Sequence, residues 1–321
     1  MSPPLTSPLS FLAVLGPTAS GKSALALEIA RRLGGERAAE IICCDSQQVY
    51  VGLDVGTAKP TAEERREIPH HVLDVVRPDE PFDAARWASR ARAALGDVLA
   101  RGRAPIVVGG TGLYYRALTA GIFEAPPPDP AIRARHRAEA AALGVEALHA
   151  RLAGVDAEAA AAVGPRDLVR ISRALEVWEQ TGAPISALRR AAAGPADVAP
   201  RALVLDPPLP ELRRRIEARA RQMFEGGFVD EVRALRAAGY GATRALQALG
   251  YPQVGALLDG ACTREEALAA TIAATVAYAR RQRTWFRKEG AIARLASPPS
   301  AEEALRLFQT PGPLATERAA S

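Results

Sequence analysis

The chain has 321 residues, 48% hydrophobic and 24% charged, with a formal net charge of +5 and an isoelectric point near 9.4. No apolar run reaches spanning length, and three cysteines, two of them adjacent (Cys43, Cys44), give neither a disulfide framework nor metal-ligand spacing. The composition therefore points to a globular protein of one enlarged domain or two, with a modest basic excess that suits an anionic partner.

After a Pro/Ser-rich start that lacks the basic region of a signal peptide, the apolar run from about Phe11 to Leu15 predicts a first strand. Gly16-Pro17-Thr18-Ala19-Ser20-Gly21-Lys22-Ser23 follows and fits G-x-x-x-x-G-K-[ST] at every specified position. Its glycines let the backbone curl so that N–H groups point at phosphate oxygens, and the helix N-terminus behind them adds positive potential. Lys22 brings a full cation, and Ser23 is placed to ligate a phosphate-bridging magnesium ion. Leu25, Ile29 and Leu33 give the next helix one buried stripe. A second apolar run, Glu40 to Cys44, predicts a buried parallel strand that delivers Asp45 at its C-terminal end, where open α/β sheets bind ligands.

Residues 52–60 (GLDVGTAKP) read as a loop, 84–99 as a helix, and Pro105 to Val108 as a third strand running into Gly109-Gly110-Thr111-Gly112, another glycine turn that opens a helix. From about Glu124 the character changes. Pro126-Pro127-Pro128 breaks the chain, and Asp129 to about Ala193 is Ala/Arg/Leu-rich and helical. Arg201 to Asp206 predicts a fourth strand, and a long helix runs from Pro210 toward Gly226-Gly227. Thr263 and Glu266 form a capping box for the helix that carries Arg280 to Lys288. Ala291 to Ala296 predicts a last short strand, and the segment after Thr310 reads as disordered. The expected fold is α/β: a P-loop NTPase-like parallel sheet flanked by helices (1–123 and 196–321), with an all-helical insertion domain (124–195).

A P-loop says phosphate without saying hydrolysis. Nucleoside triphosphatases carry a magnesium-holding Asp at a strand end, yet here the strand Ile106-Val107-Val108 ends in Gly109-Gly110-Thr111. Asp45 is then the carboxylate placed to accept a proton or orient a nucleophile, with a turn cap as its alternative reading. Arg219 falls in the apolar stripe Leu212, Ile216, Met223, where it needs a partner: a bound pyrophosphate, or an internal salt bridge, unless its stem snorkels. Arg170 and Arg173 lie on one helix, and Arg280, Arg281, Arg283, Arg287 and Lys288 interleave with Trp285 and Phe286. Cations beside aromatics that stack on bases suit single-stranded RNA, although each cluster alone reads first as a solvated helix face. His70-His71 lack a ligand set at metal spacing and read as hydrogen-bonding residues; His136 and His149 read as surface residues.

Together these residues resemble the tRNA dimethylallyltransferase family in its bacterial form, from Val14 to about Glu289. The motifs that carry the resemblance are GPTASGKS, DSQQVY (45–50), GTAKPT (56–61), PHHVLD (69–74), VGGTGLY (108–114), RISRALEV (170–177), GY (250–251) and RRQRTWFRK (280–288). The resemblance implies transfer of a dimethylallyl group from dimethylallyl diphosphate to N6 of the adenosine 3′-adjacent to the tRNA anticodon. It implies that Gly16, Pro17, Thr18, Ala19, Ser20, Gly21, Lys22 and Ser23 bind the diphosphate, that Ser23 holds Mg2+, and that Asp45, Lys22, Thr111 and Arg219 are catalytic. By the same resemblance Asp45, Ser46, Gln47, Gln48, Thr111, Arg133, Val169, Arg170, Ile171, Ser172 and Arg173 contact tRNA, as do Arg280, Arg281, Gln282, Arg283, Thr284, Trp285, Phe286 and Arg287. Val169 stands where many members carry Gln, and Arg283 where an apolar residue is common. A cytoplasmic monomer acting on the anticodon stem-loop is expected. The rival readings are a small-molecule P-loop kinase, a prenyltransferase of free adenine nucleotides, and a non-catalytic RNA-binding protein.

Overall fold

Alternate residues of the apolar runs face opposite sides of one parallel sheet, and both sides are covered, which is why those runs are continuously apolar. On one face Val14, Ile41, Cys43, Ile106, Val108, Leu203 and Leu205 pack on the stripe Leu25, Ile29 of the helix Lys22–Leu33. On the other, Ala13, Leu15, Ile42, Cys44, Val107 and Val204 meet Trp87 and Leu95 of the helix Ala84–Ala100 and Tyr114 of the helix Gly112–Thr119. The Trp87 indole stacks on Tyr114 and donates to the Cys43 carbonyl at 2.9 Å, so an interior polar group is satisfied within the layer.

The structure is a computed structural model that describes residues 9–121, 125–192, 197–291 and 293–309. Among these the strands are β1 (Leu9–Leu15), β2 (Ala39–Cys44), β3 (His70–His71), β4 (Ala104–Gly109), β5 (Val198–Leu205) and β6 (Ala293–Leu295), all parallel in the order β3-β2-β4-β1-β5-β6. Gly109 pairs with both Leu15 and Cys44, so the C-terminal ends of β1, β2 and β4 lie side by side. The expected Pro/Ser start and the segment after Thr310 lie outside the described residues. β3, too short to show a period, and the helices Ala62–Glu67, Phe228–Ala237, Tyr251–Leu258 and Ala301–Gln309 add to the elements the sequence suggests.

Contacts divide the chain into two units, Met1–Thr119 with Ala196–Ser321, and Ala120–Pro195. The second unit is helical: Pro130–Leu143, Val145–Val155, Ala157–Ala162, Leu168–Thr181 and Ile185–Ala192 surround Leu148, Leu152, Ile171, Leu175 and Val177. His136 corrects the surface reading. It is fully buried, with Nδ1 3.0 Å from Ser172 Oγ and Nε2 3.0 Å from Glu179 Oε1. His149 is half-buried against the carbonyls of Ala160 and Val163.

Buried charges in the sheet unit are paired. Glu40, at 1% exposure beside the sheet edge, accepts hydrogen bonds from Arg101 and Arg103 and meets His71 Nε2. Burial alone would raise its carboxyl; the bonds from Arg101, His71 and Arg103 outweigh it and hold the group at about 2, against an ordinary 4.5. A carboxyl depressed on folding stabilises above its unfolded value and loses that contribution as pH falls toward the folded one. Glu40→Gln should therefore lower stability in urea by about 3–5 kcal/mol at neutral pH. Between pH 4.5 and about 2 the variant should lose less stability than wild type.

Candidate functional site

Gly16 follows β1 directly, and the loop it opens reverses through Ala19, at φ +62°, and Gly21, at φ +91°, into the helix that starts at Lys22. Left-handed backbone at a residue with a Cβ is strain stored where surrounding structure over-determines the turn. Lys22 Nζ donates to the Pro17 carbonyl at 3.2 Å. Desolvation pushes its pKa down to about 8, with the Asp45 charge pulling back up and Arg219 adding to the depression. Arg219 reaches the same loop from the helix Leu209–Glu225, whose buried stripe is Leu212, Ile216, Ala220 and Phe224, and donates to Thr18 Oγ1. Desolvation lowers its pKa too, against the pull of Asp45. Neither cation has a salt-bridge partner among the described residues. That removes the internal salt bridge as the account of Arg219 and leaves two desolvated charges facing one loop, with Asp45 near both but bonded to neither.

Two further residues shape this loop: Arg215, which the sequence did not single out, and Gln282, which was expected as an RNA contact. Arg215, one turn before Arg219, donates to the carbonyls of Ala19 and Ser20 at 3.4 and 3.2 Å. Gln282, from the helix Arg264–Phe286, accepts from the Thr18 amide at 2.9 Å. The Ser20 hydroxyl is buried with no hydrogen-bond partner among the described residues. No cluster of His, Cys, Asp or Glu able to hold a metal occurs among the described residues, so the Ser23 hydroxyl, exposed on the first helical turn, is the donor the loop offers.

Beside the cradle, β2 delivers Asp45. Its Oδ1 accepts from the amides of Gln47 at 2.8 Å and Gln48 at 3.4 Å, the turn-capping role the sequence left open, while Oδ2 makes no hydrogen bond among the described residues. Thr111, one residue past the Gly109-Gly110 turn, accepts from the Ser46 amide at 3.0 Å, and its own amide donates to the Cys44 carbonyl at 3.2 Å. Tyr278 stands near both, its phenol pushed up to about 12 by burial and by the Asp45 charge and drawn back by a hydrogen bond with Thr111. Gln48 Nε2 donates to the carbonyls of Thr57 and Ala58, both at 3.1 Å. That loop is itself held: the Glu231 carboxylate accepts from the amides of Asp54, Val55 and Gly56 and from the Tyr251 hydroxyl. Lys59, 8% exposed, donates to the Tyr50 carbonyl, Asp54 and Asp74 at 2.8, 2.7 and 2.5 Å. The motifs GTAKPT, PHHVLD and GY thus support Asp45 to Gln48.

Several expected RNA contacts are buried or committed elsewhere. Phe286, at 1% exposure, and Ile171, at 0%, belong to cores, and Gln282 is turned inward to the loops. Ser172 is buried against His136. Arg133 forks onto the buried Glu176 carboxylate, both bonds 3.0 Å, and Arg173 pairs with the same group at 2.7 Å. Arg283 pairs with Asp206. Trp285 lies against Gly112, where a Cβ would meet its ring at 2.2 Å, and carries the Arg116 guanidinium 4.7 Å from its centroid, so base stacking on a free ring is not its arrangement. Arg280, Arg281, Thr284 and Arg287 are exposed along one helix, and Val169 and Arg170 are exposed in the helical unit.

Fold and site together define a P-loop-like α/β protein, with two cations at the loop and an adjacent carboxylate at the strand ends. The IPP transferase family model matches residues 48–289, and the isopentenyl transferase model matches residues 9–78. A tRNA dimethylallyltransferase of Anaeromyxobacter sp. (strain K) is 53% identical over 306 residues, covering 95% of this chain and 99% of the relative. One of Myxococcus xanthus is 49% identical, covering 89% and 92%. The crystal structure of the tRNA isopentenylpyrophosphate transferase of Bacillus halodurans superimposes with a TM-score of 0.65 at 34% identity, covering 93% and 94%. The chain belongs to the IPP transferase family.

The depressed lysine sets a pH signature. Below about 8 the free protein carries the Lys22 ammonium; above it, an anion must bind a neutral amine or recruit a proton. Calorimetric affinity for inorganic diphosphate should weaken as pH rises from 7 to 9, and Lys22→Met should flatten that dependence. Arg219→Ala should weaken binding by about tenfold or more at every pH, the worth of one charge-assisted hydrogen bond.

Proposed function

We propose that the protein transfers a dimethylallyl group from dimethylallyl diphosphate to N6 of the adenosine 3′-adjacent to the tRNA anticodon, releasing diphosphate. The observation that carries the donor half is the pair of desolvated cations, Lys22 and Arg219, converging on the P-loop without a salt-bridge partner among the described residues. A diphosphate supplies that partner, and the bond to an allylic carbon is one that breaks readily once the departing charge is neutralised. The relatives' names support tRNA, rather than a kinase substrate or a free nucleotide, as acceptor.

In this reading the loop from Gly16 to Ser23, with Lys22 and Arg219, holds the diphosphate, and Arg215 and Gln282 hold the loop. Magnesium fits as an ion that arrives on its substrate, because Ser23 offers an exposed hydroxyl on the first turn after the loop and Mg2+ is commonly held by substrate phosphates and water. When bound it would neutralise charge on the leaving group. The exocyclic N6 is a weak nucleophile because its lone pair is delocalised into the ring. It needs orientation and a proton acceptor, and the open Oδ2 of Asp45 suits that task. The C1–O bond breaks as the N6–C1 bond forms, the electron pair leaves with diphosphate, and the N6 proton passes to Asp45. Thr111, held between Ser46 and Tyr278, lines the place where base and donor meet. Ser46, Gln47 and Gln48 flank the base, which must leave its stack at a cost of a few kcal/mol that phosphate contacts offset. Exposed Arg280, Arg281, Thr284 and Arg287, with Val169 and Arg170 of the helical unit, supply backbone contacts, for a monomer working in the cytoplasm.

Incubation with anticodon stem-loop RNA, dimethylallyl diphosphate and magnesium should add one dimethylallyl mass to that adenosine; an unmodified RNA sinks the proposal. Asp45→Asn keeps an oxygen for the Gln47 amide while removing the base. It should lower kcat by about 100-fold or more while RNA affinity stays within about threefold.

A further inference from the structure

We propose that Gln282 is a positioning residue that sets the spacing between the phosphate cradle and the base-receiving loop. The inference rests on the transfer reading above. Gln282 shares the inward face of its helix with Ala279 and Phe286 and is 7% exposed. Its Oε1 accepts from the Thr18 amide at 2.9 Å, and its Nε2 donates to the Gly110 carbonyl at 2.8 Å. Since an N–H must meet an oxygen and a carbonyl must meet an N–H, these two partners fix the amide in one orientation.

Each end of that bridge stands one step from a group with a chemical task. Thr18 holds Arg219 through its hydroxyl, and Gly110 precedes Thr111, which holds Ser46 next to Asp45. The sheet pairs Leu15 with Gly109 and so aligns the strand ends, but it does not bond the loops that leave them. The amide does. A Cβ at Gly110 would lie 2.4 Å from Gln282 Nε2 and 3.1 Å from the Gly16 carbonyl, so the two loops approach each other closely where the amide joins them. A displacement at saturated carbon needs donor and acceptor within about 3–3.5 Å and in line, and a misplacement of about 1 Å can cost 100-fold in rate. Loss of the bridge should therefore act on the transfer step rather than on binding.

The full-length chain tests this with Gln282→Met, which keeps the volume and removes both bonds, and Gln282→Glu, which has a donor for Gly110 only when protonated. Single-turnover transfer to stem-loop RNA, affinities for stem-loop RNA and inorganic diphosphate, and thermal melting are read for each. Gln282→Met should lose about 100-fold in single-turnover rate, with both affinities within about threefold of wild type. Gln282→Glu should regain rate relative to wild type as pH falls and its buried carboxyl protonates. A Gln282→Met rate near wild type, or a loss matched by both affinities, overturns the proposal. If Gln282→Met does not fold, a Gln282→Glu to wild-type rate ratio that is flat with pH overturns it. An inactive wild type would instead defeat the transfer reading.

Discussion

Two partly buried cations, Lys22 and Arg219, with no salt-bridge partner among the described residues, are the constraint around which the sheet unit is arranged. Elsewhere this protein matches its buried charge: Glu40 meets Arg101, Arg103 and His71, Lys59 meets Asp54 and Asp74, and Glu176 meets Arg133 and Arg173. Lys22 and Arg219 break that habit, and desolvation depresses both. Such a pair is tolerable in the free protein because Asp45 lies near enough to soften it, as its upward pull on both groups shows. A ligand bearing two or more negative charges turns an electrostatic debt into a binding force. Packing keeps the pair in place: Leu212 and Ile216 of the arginine-bearing helix meet Val276 and Ala279 of the last long helix, with Ala19 of the loop against them.

The turn after β2 is built on the opposite logic, with most of its polar groups hydrogen-bonded within the protein. The turn after β2 is pinned from below by Lys59, from the side by the loop that Glu231 grips, and from above by Thr111. A carboxylate that accepts three backbone amides and a phenol leaves little freedom to the loop it caps. The rigidity passes to Gln48 and so to Asp45. Within that turn Asp45 Oδ2 and the buried Gln47 Oε1 make no hydrogen bond among the described residues.

Much of this was legible from residue order. The P-loop, Asp45 at a strand end, the second glycine turn and the anomalous Arg219 each follow from a local pattern, either a fixed spacing or a polar residue in an apolar stripe. The helical insertion is legible from its break at three prolines. Gln282 carries the same stripe signal as Arg219, since it falls on a face with Ala279 and Phe286, but its neighbours in sequence are cations and an aromatic, and those drew it into an RNA-binding reading. Trp285 and Phe286 fail as stacking residues for a related reason: composition records that aromatics interleave with arginines, not which way a helix turns them. Glu231, Lys59 and Arg215 gave no local signal at all. Besides near neighbours, their partners lie 9 to 196 residues away, and the fold brings those together.

Asp45 shows how turn capping and chemistry coexist in one side chain. Oδ1 accepts from two amides, and this bond fixes the carboxyl group's torsion, so the direction of Oδ2 is set before any substrate arrives. A freely rotating carboxylate would sample several directions and pay entropy to choose one on binding. The capped one has already chosen, and the bonds that choose it are backbone amides two and three residues on, independent of the phosphate cradle. The same carboxylate therefore meets two requirements that oppose each other in most side chains: it is held firmly by the protein, and one of its oxygens stays available to take a proton.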